Sequence, residues 1–181
     1  AKKLTSLGRF AHEVALFERS TQGHAVIYLS DDAEGECLYK FISKNKIDSG
    51  DNSKLLHEGE LFVASLEQGK WLSLSPENNV LYNHKSGKFK TLENILLNTR
   101  QAAKVVGGTP LGRPEGLVSW NGMILVALTN YASTKDYHGK ILSLKETGEN
   151  KFLAKDFYVG GPGSGMSCPD NIVTSPDGSL W

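Results

Sequence analysis

The sequence predicts an all-β domain of paired strands with one inserted helix. Short apolar β-like segments recur in pairs around polar turns. A single stretch, over 91–106, places its apolar residues at helical spacing instead. Three acidic tripeptides, each set just before a β-like run, then suggest a unit repeated along the chain.

The first pair of segments, 25–29 and 37–42, flanks Asp31-Asp32-Ala33-Glu34-Gly35, which reads as a hairpin turn. Residues 60–66 and 71–74 flank Glu67-Gln68-Gly69-Lys70, a second hairpin. The third pair, 123–128 and 140–144, is joined by a polar loop over 129–139. The fourth, 172–174 and 179–181, flanks Ser175-Pro176-Asp177-Gly178, where proline suits the first central position of a turn and glycine its end. Hairpins at this pace suggest a sandwich, a barrel or a propeller. In the helical stretch, Leu92, Ile95, Leu96, Ala102, Ala103 and Val106 share a face. Thr91 can cap its first turn, Glu93 suits the dipole, and Gly107-Gly108 ends it.

Composition narrows the function classes. Apolar residues make up 39% of the 181 residues and charged ones 22%, which suits a folded globular domain. The 20 basic and 20 acidic residues cancel, so nothing marks a nucleic-acid partner. The longest apolar runs are a few residues, too short for a helix that spans a membrane. No signal peptide is visible, and Cys37 and Cys168, 131 positions apart, are expected as two buried thiols, with a disulfide between them the alternative. The sequence stops at Trp181 inside an apparent outgoing strand, which reads as a fragment of a longer protein with exposed sheet edges and a tendency to self-associate.

These acidic motifs are His12-Glu13, Arg113-Pro114-Glu115 and Pro169-Asp170-Asn171. A glycine follows each acid by ten, seven and eight residues, at 23, 122 and 178, and opens a second apolar stretch. One acid at the same point of a repeated sheet unit gathers carboxylates around a common axis. Such crowding needs a positive partner, so Glu13, Glu115 and Asp170 are candidate metal ligands. Pro114 pushes Arg113 toward an extended conformation, in which residues two apart share a face roughly 7 Å apart. Glu115 can then serve a cation while Arg113 forks onto an oxyanion such as phosphate, although the same spacing serves an ordinary surface ion pair. Asp31 and Asp32 offer hard oxygen ligands for calcium, or are simply a solvated turn. His12-Glu13 lacks the second histidine of a zinc-protease helix, since the position four after His12 is Leu16. The glycine-rich run over 160–165 has no lysine or following helix to make a phosphate-binding loop, and no Gly-x-Ser-x-Gly elbow occurs.

At these residues the chain resembles the PhoX-type alkaline phosphatases, large bacterial β-propeller enzymes. Gly8-Arg9-Phe10-Ala11-His12-Glu13 is similar to the family's Gly-Arg-Phe-x-His-Glu. Asp31-Asp32 with the following Leu38 to Ser43 segment resembles its aspartate-pair hairpin. The most specific stretch is Thr99-Arg100-Gln101-Ala102-Ala103 running into Gly108-Thr109 and Arg113-Pro114-Glu115, and Pro169-Asp170-Asn171-Ile172 completes the match. The resemblance implies part of a β-propeller of about three to four blades of four-stranded sheet. It also implies phosphomonoester hydrolysis at an iron and calcium cluster in the propeller channel, in a periplasmic or secreted enzyme acting on small phosphoesters. On that basis Glu13, Glu115 and Asp170 would be metal ligands, Asp31 or Asp32 would help hold calcium, and Arg113 would grip the phosphate. The family's Cys-Glu-Glu stretch, whose cysteine binds iron, has no counterpart in this sequence. A calcium-dependent lactonase propeller, which needs no arginine, and a non-catalytic binding or scaffold propeller are the other readings.

Overall fold

The computed structural model describes residues 3–48 and 50–181. Among these, β1 (His12–Arg19), β2 (His24–Asp31), β3 (Glu34–Glu36), β4 (Leu38–Lys46), β5 (Gly59–Ser65) and β6 (Lys70–Ser73) fill the first part of the chain. After three short helices come β7 (Leu111–Gly112), β8 (Pro114–Trp120), β9 (Met123–Leu128), β10 (Lys140–Gly148) and β11 (Lys151–Val159). The protein is therefore mostly β, as its paired apolar segments predict.

Nine of the strands form one antiparallel sheet in the order β1-β2-β4-β5-β6-β11-β10-β9-β8, and β3 pairs with β7 separately. Two meanders, β1 to β6 and β8 to β11, are joined at one edge by a single residue pair, Lys70 with Lys151. At the other edge β1 and β8 lie against each other, so the sheet nearly closes on itself like a barrel. Isolated four-stranded sheets are thus not what the hydrogen bonds describe, because β6 and β11 are linked across the gap. Three of the four expected hairpins form as paired strands. The fourth is reduced to one bridge between Thr174 and Leu180, around a turn in which Gly178 donates to Ser175.

Alternation along the strands builds the layers. In β2, Val26 and Tyr28 face a core between the two meanders, while Ile27 and Leu29 face a second core under the helices. Both faces are covered, so almost the whole strand is buried. The central core takes Phe62, Ala64 and Trp71 from the first meander and Val126, Leu142, Leu144 and Phe152 from the second. A third cluster, Leu125, Ala127 and Ile141, lies beyond the second meander and packs against Met166, Ile172 and Leu180.

The helical region differs from the single helix expected over 91–106. It comprises α1 (Asn79–Tyr82), α2 (Leu92–Leu97) and α3 (Thr99–Val106). Thr91 caps α2 by accepting from the Asn94 N–H, and Gly107 ends α3 in the left-handed conformation, φ 93°. The interruption at Asn98 has an identifiable cause. Arg9 inserts its backbone N–H against both the Leu96 carbonyl and the Thr99 hydroxyl, each at 3.0 Å. The apolar periodicity continues through the break, which is why the sequence reads as one helix.

Candidate metal centre

Segment 8–13 is held from several sides. Gly8 has φ 81°, and a Cβ there would sit 2.7 Å from the Thr99 hydroxyl, so only glycine permits this approach. Phe10 stacks between His12 and Tyr39, with ring centroids 3.7 and 4.3 Å away. His12 Nε2 lies 3.1 Å from the Gly8 carbonyl. The motif residues around Glu13 thus act as a scaffold, and Glu13 is exposed at the start of β1.

Glu13 and Glu115 occupy equivalent irregularities. In β1 the pairing jumps from His12 with Asp31 to Ala15 with Leu29, which leaves Glu13 and Val14 opposite one residue. In β8 it jumps from Pro114 with Leu128 to Leu117 with Val126, which leaves Glu115 and Gly116 opposite one residue. Each glutamate is the first residue of a β-bulge, a device that re-aims a side chain out of the strand's regular alternation. The following glycines, Gly23 and Gly122, turn the chain at φ 91° and 72°. In these two of the three units, the repeat read in the sequence is one of bulge, strand and left-handed turn, whereas the Asp170 unit keeps only the turn, at Gly178 with φ 86°.

The pairing of β3 with β7 carries Asp32 to the second glutamate. Glu34 pairs with Gly112 and Glu36 with Leu111, so the chain just before β3 meets the chain just after β7. Ligand oxygens of Glu13, Asp32 and Glu115 consequently lie within 4.8 Å of one another. Arg113 spans this group: Nε is 3.0 Å from Asp32 Oδ1, and Nη2 is 2.6 Å from Glu115 Oε1. Arg113 is not extended but left-handed, φ 51°. The proline bars the right-handed helical basin, and the left-handed bend lets the Arg113 carbonyl accept from the Thr129 N–H. Its neighbourhood with Glu115 survives by this different route.

Glu115 is 3% exposed, against exposed Glu13 and half-buried Asp32. Burial pushes its carboxyl above the ordinary glutamate range. The hydrogen bond from Thr129 and the Arg113 guanidinium pull the other way, while the Asp32 and Asp170 carboxylates add to the rise. The hydrogen bond to Asp32 holds the Arg113 guanidinium charged more firmly still. Thr129 Oγ1, within 3.0 Å of Glu115 Oε1 and 2.9 Å of the Pro169 carbonyl, ties the third acidic segment to the second.

Two expected ligands stand elsewhere. Asp31 is fully buried, and its carboxylate is taken by Arg100, with Nε to Oδ2 at 2.8 Å and Nη2 to Oδ1 at 2.5 Å. Asp170 is exposed and outside the group of three, although its carbonyl accepts from Gly116 at 2.9 Å. Its charge still reaches Arg113 and Glu115. The thiols differ from expectation as well: both are free, but Cys168 is exposed, because its segment runs over the surface beside Tyr137. Sequence reasoning assigned no role to Arg100 or Thr129. Arg100 could have been suspected from its place in the most specific stretch of the resemblance, whereas Thr129 follows an apolar strand with no local signal.

The donor set tests what such a centre could hold. Three carboxylates supply only oxygen, which suits a hard cation such as calcium. One guanidinium among three carboxylates leaves negative charge that a cation would offset.

Fold and site together define an antiparallel β protein with a carboxylate centre built on repeated bulges. The chain matches the family described as alkaline phosphatase PhoX over residues 1–181, and it belongs to that family. Among solved structures it is similar to PhoX of Pseudomonas fluorescens in complex with vanadate, a transition state analogue, with a TM-score of 0.87 and 28% sequence identity. The match covers 99% of this chain and 39% of that one. No curated protein matches the chain.

Proposed function

We propose that this chain forms part of a metal-dependent phosphomonoesterase in which Glu13, Asp32 and Glu115 hold calcium and Arg113 binds the substrate phosphate. The observation that carries this reading is the convergence within 4.8 Å of three carboxylates, the outer two of which, Glu13 and Glu115, are over a hundred positions apart. Membership of the PhoX family and the vanadate complex of the Pseudomonas relative support it. Asp170, whose main chain is fixed beside Gly116, is proposed as a further ligand. Iron, which the resemblance also implies, is held in the family by the cysteine of the Cys-Glu-Glu stretch, which has no counterpart in this sequence.

Calcium bound there would neutralise phosphoryl oxygens as charge shifts onto the leaving group. The protein's own residues orient the phosphate. Arg113 presents two N–H groups in one plane, a match for two phosphoryl oxygens. It now directs them at Asp32 and Glu115, so it must exchange carboxylate for phosphate acceptors when substrate arrives. Thr129 keeps Glu115 oriented through that exchange. In architecture, the two meanders around one central core are read as two neighbouring propeller blades, with the Thr174–Leu180 bridge the start of a third.

The deciding experiment is p-nitrophenyl phosphate turnover by the full protein, with elemental analysis and an Arg113→Ala variant. We expect copurified calcium and a fall in kcat/KM of about 10²–10³-fold in the variant. A calcium-dependent lactonase would leave Arg113 dispensable, so an unchanged phosphatase rate overturns the assignment.

A further inference from the structure

We infer that Arg100 is a positioning residue for the carboxylate centre, and that its fork on Asp31 sets the separation of Glu13 from Asp32. This rests on the reading of Glu13, Asp32 and Glu115 as cation ligands. Asp31 Oδ1, gripped by Arg100, also accepts from the Ala11 N–H at 3.1 Å. The next residue, Asp32, donates its own N–H to the Ala11 carbonyl at 3.0 Å. Ala11 is thereby pinned on both sides, two residues from Glu13, to the pair of aspartates that includes Asp32. Arg100 comes from α3, directly after Thr99, which holds the Arg9 N–H. Adjacent residues of one helix thus fix two of the three chain segments that deliver ligands to the centre, those of Glu13 and Asp32.

The guanidinium itself is held from behind. Glu36 Oε2 lies 3.8 Å from Arg100 Nε, and Glu36 Oε1 accepts from Lys104 at 2.8 Å. Two carboxylates face two cations in this group, so its charge is balanced and needs no bound ion. Asp31 therefore contributes to the centre through the backbone it anchors, and Arg100 never touches the ligand oxygens. A lysine could supply the charge but not the two-pronged hold.

Calcium affinity of the full protein, measured by isothermal titration calorimetry, tests this in Arg100→Ala and Arg100→Lys, with Glu13→Gln as the reference. Loss of a residue that orients ligands typically weakens metal binding about 10–100-fold, and Arg100→Ala should fall in that range at unchanged stoichiometry. Arg100→Lys should show a smaller loss, and it decides the matter if the alanine variant does not fold. A folded Arg100 variant that binds calcium within twofold of wild type overturns the inference and leaves Arg100 a purely structural residue. Failure of the underlying reading looks different: wild type would take up no calcium, or Glu13→Gln would bind as wild type does.

Discussion

Two polar clusters lie on the faces where the meanders meet, and they handle charge in opposite ways. Around Lys40, one ammonium meets one carboxylate: Glu146 Oε1 accepts from Lys40 at 3.0 Å, from Tyr28 at 2.7 Å and from Trp71 at 2.9 Å. Lys40 also lies over the Tyr28 and Trp71 rings. At the starts of β1 and β8, three carboxylates meet one guanidinium. The first cluster is electrically complete and closes the core. The second is not, and it is built on bulges that point acids at one another. A balanced pair at the core's edge serves packing, whereas a surplus of one sign at a convergent point makes a candidate ligand site.

The largest break in this comparison should come from Glu115→Gln. It keeps the shape and the Thr129 partner but removes a charge, and kcat on p-nitrophenyl phosphate should drop by about 10²-fold or more, with weaker calcium uptake. Lys40→Met should do the converse. It leaves Glu146 without its cation, and since that carboxylate is partly exposed we expect a loss of about 2 kcal/mol in urea unfolding, less than for a fully buried pair. The variant's kcat should stay within twofold of wild type. If it falls tenfold, the two clusters are coupled and the contrast fails.

A pH series on the metal-free protein sharpens the contrast further. Because Glu115 titrates above its unfolded value, the native state binds the extra proton between the two, and stability falls as pH rises out of the ordinary glutamate range. Unfolding midpoints in chelator should show that decline, and Glu115→Gln should flatten it. The smallest effect concerns thiols. Burial pushes Cys37 up to about 12, so native protein at pH 8 should react with maleimide at Cys168 alone, and denaturant should release the second thiol.

Much of this was legible in the sequence because its signals are local. Val26 to Leu29 and Leu61 to Ala64 are buried on both faces and so read as short unbroken apolar runs, and paired strands could be inferred from these runs and the turn residues between them. The acid-to-glycine repeat marked two bulged strands, those of Glu13 and Glu115, each followed by a glycine at positive φ, but its third unit at Asp170 forms no such strand. What stayed hidden depends on distant partners. The break at Asn98 is made by Arg9, some ninety residues away, and the bulges at Glu13 and Glu115 exist only relative to β2 and β9. Asp31 and Asp32 are chemically alike and adjacent, yet Asp31, the last residue of β2, faces Arg100, while Asp32, just past the end of that strand, faces Arg113. The link from β6 to β11 rests on one residue pair, which no pattern in either strand announces.

The interrupted helix has a consequence for the order in which the molecule can assemble. Glu13 is oriented by a segment that needs Thr99, and Glu115 is oriented by Thr129. The Arg9–Thr99 contact closes a loop of ninety residues, and such contacts form after local hairpins have closed. During synthesis the growing polypeptide therefore completes its first two hairpins while the acids remain scattered. Only when the chain through residue 129 has emerged can all three carboxylates be drawn together with the hydroxyl that holds Glu115.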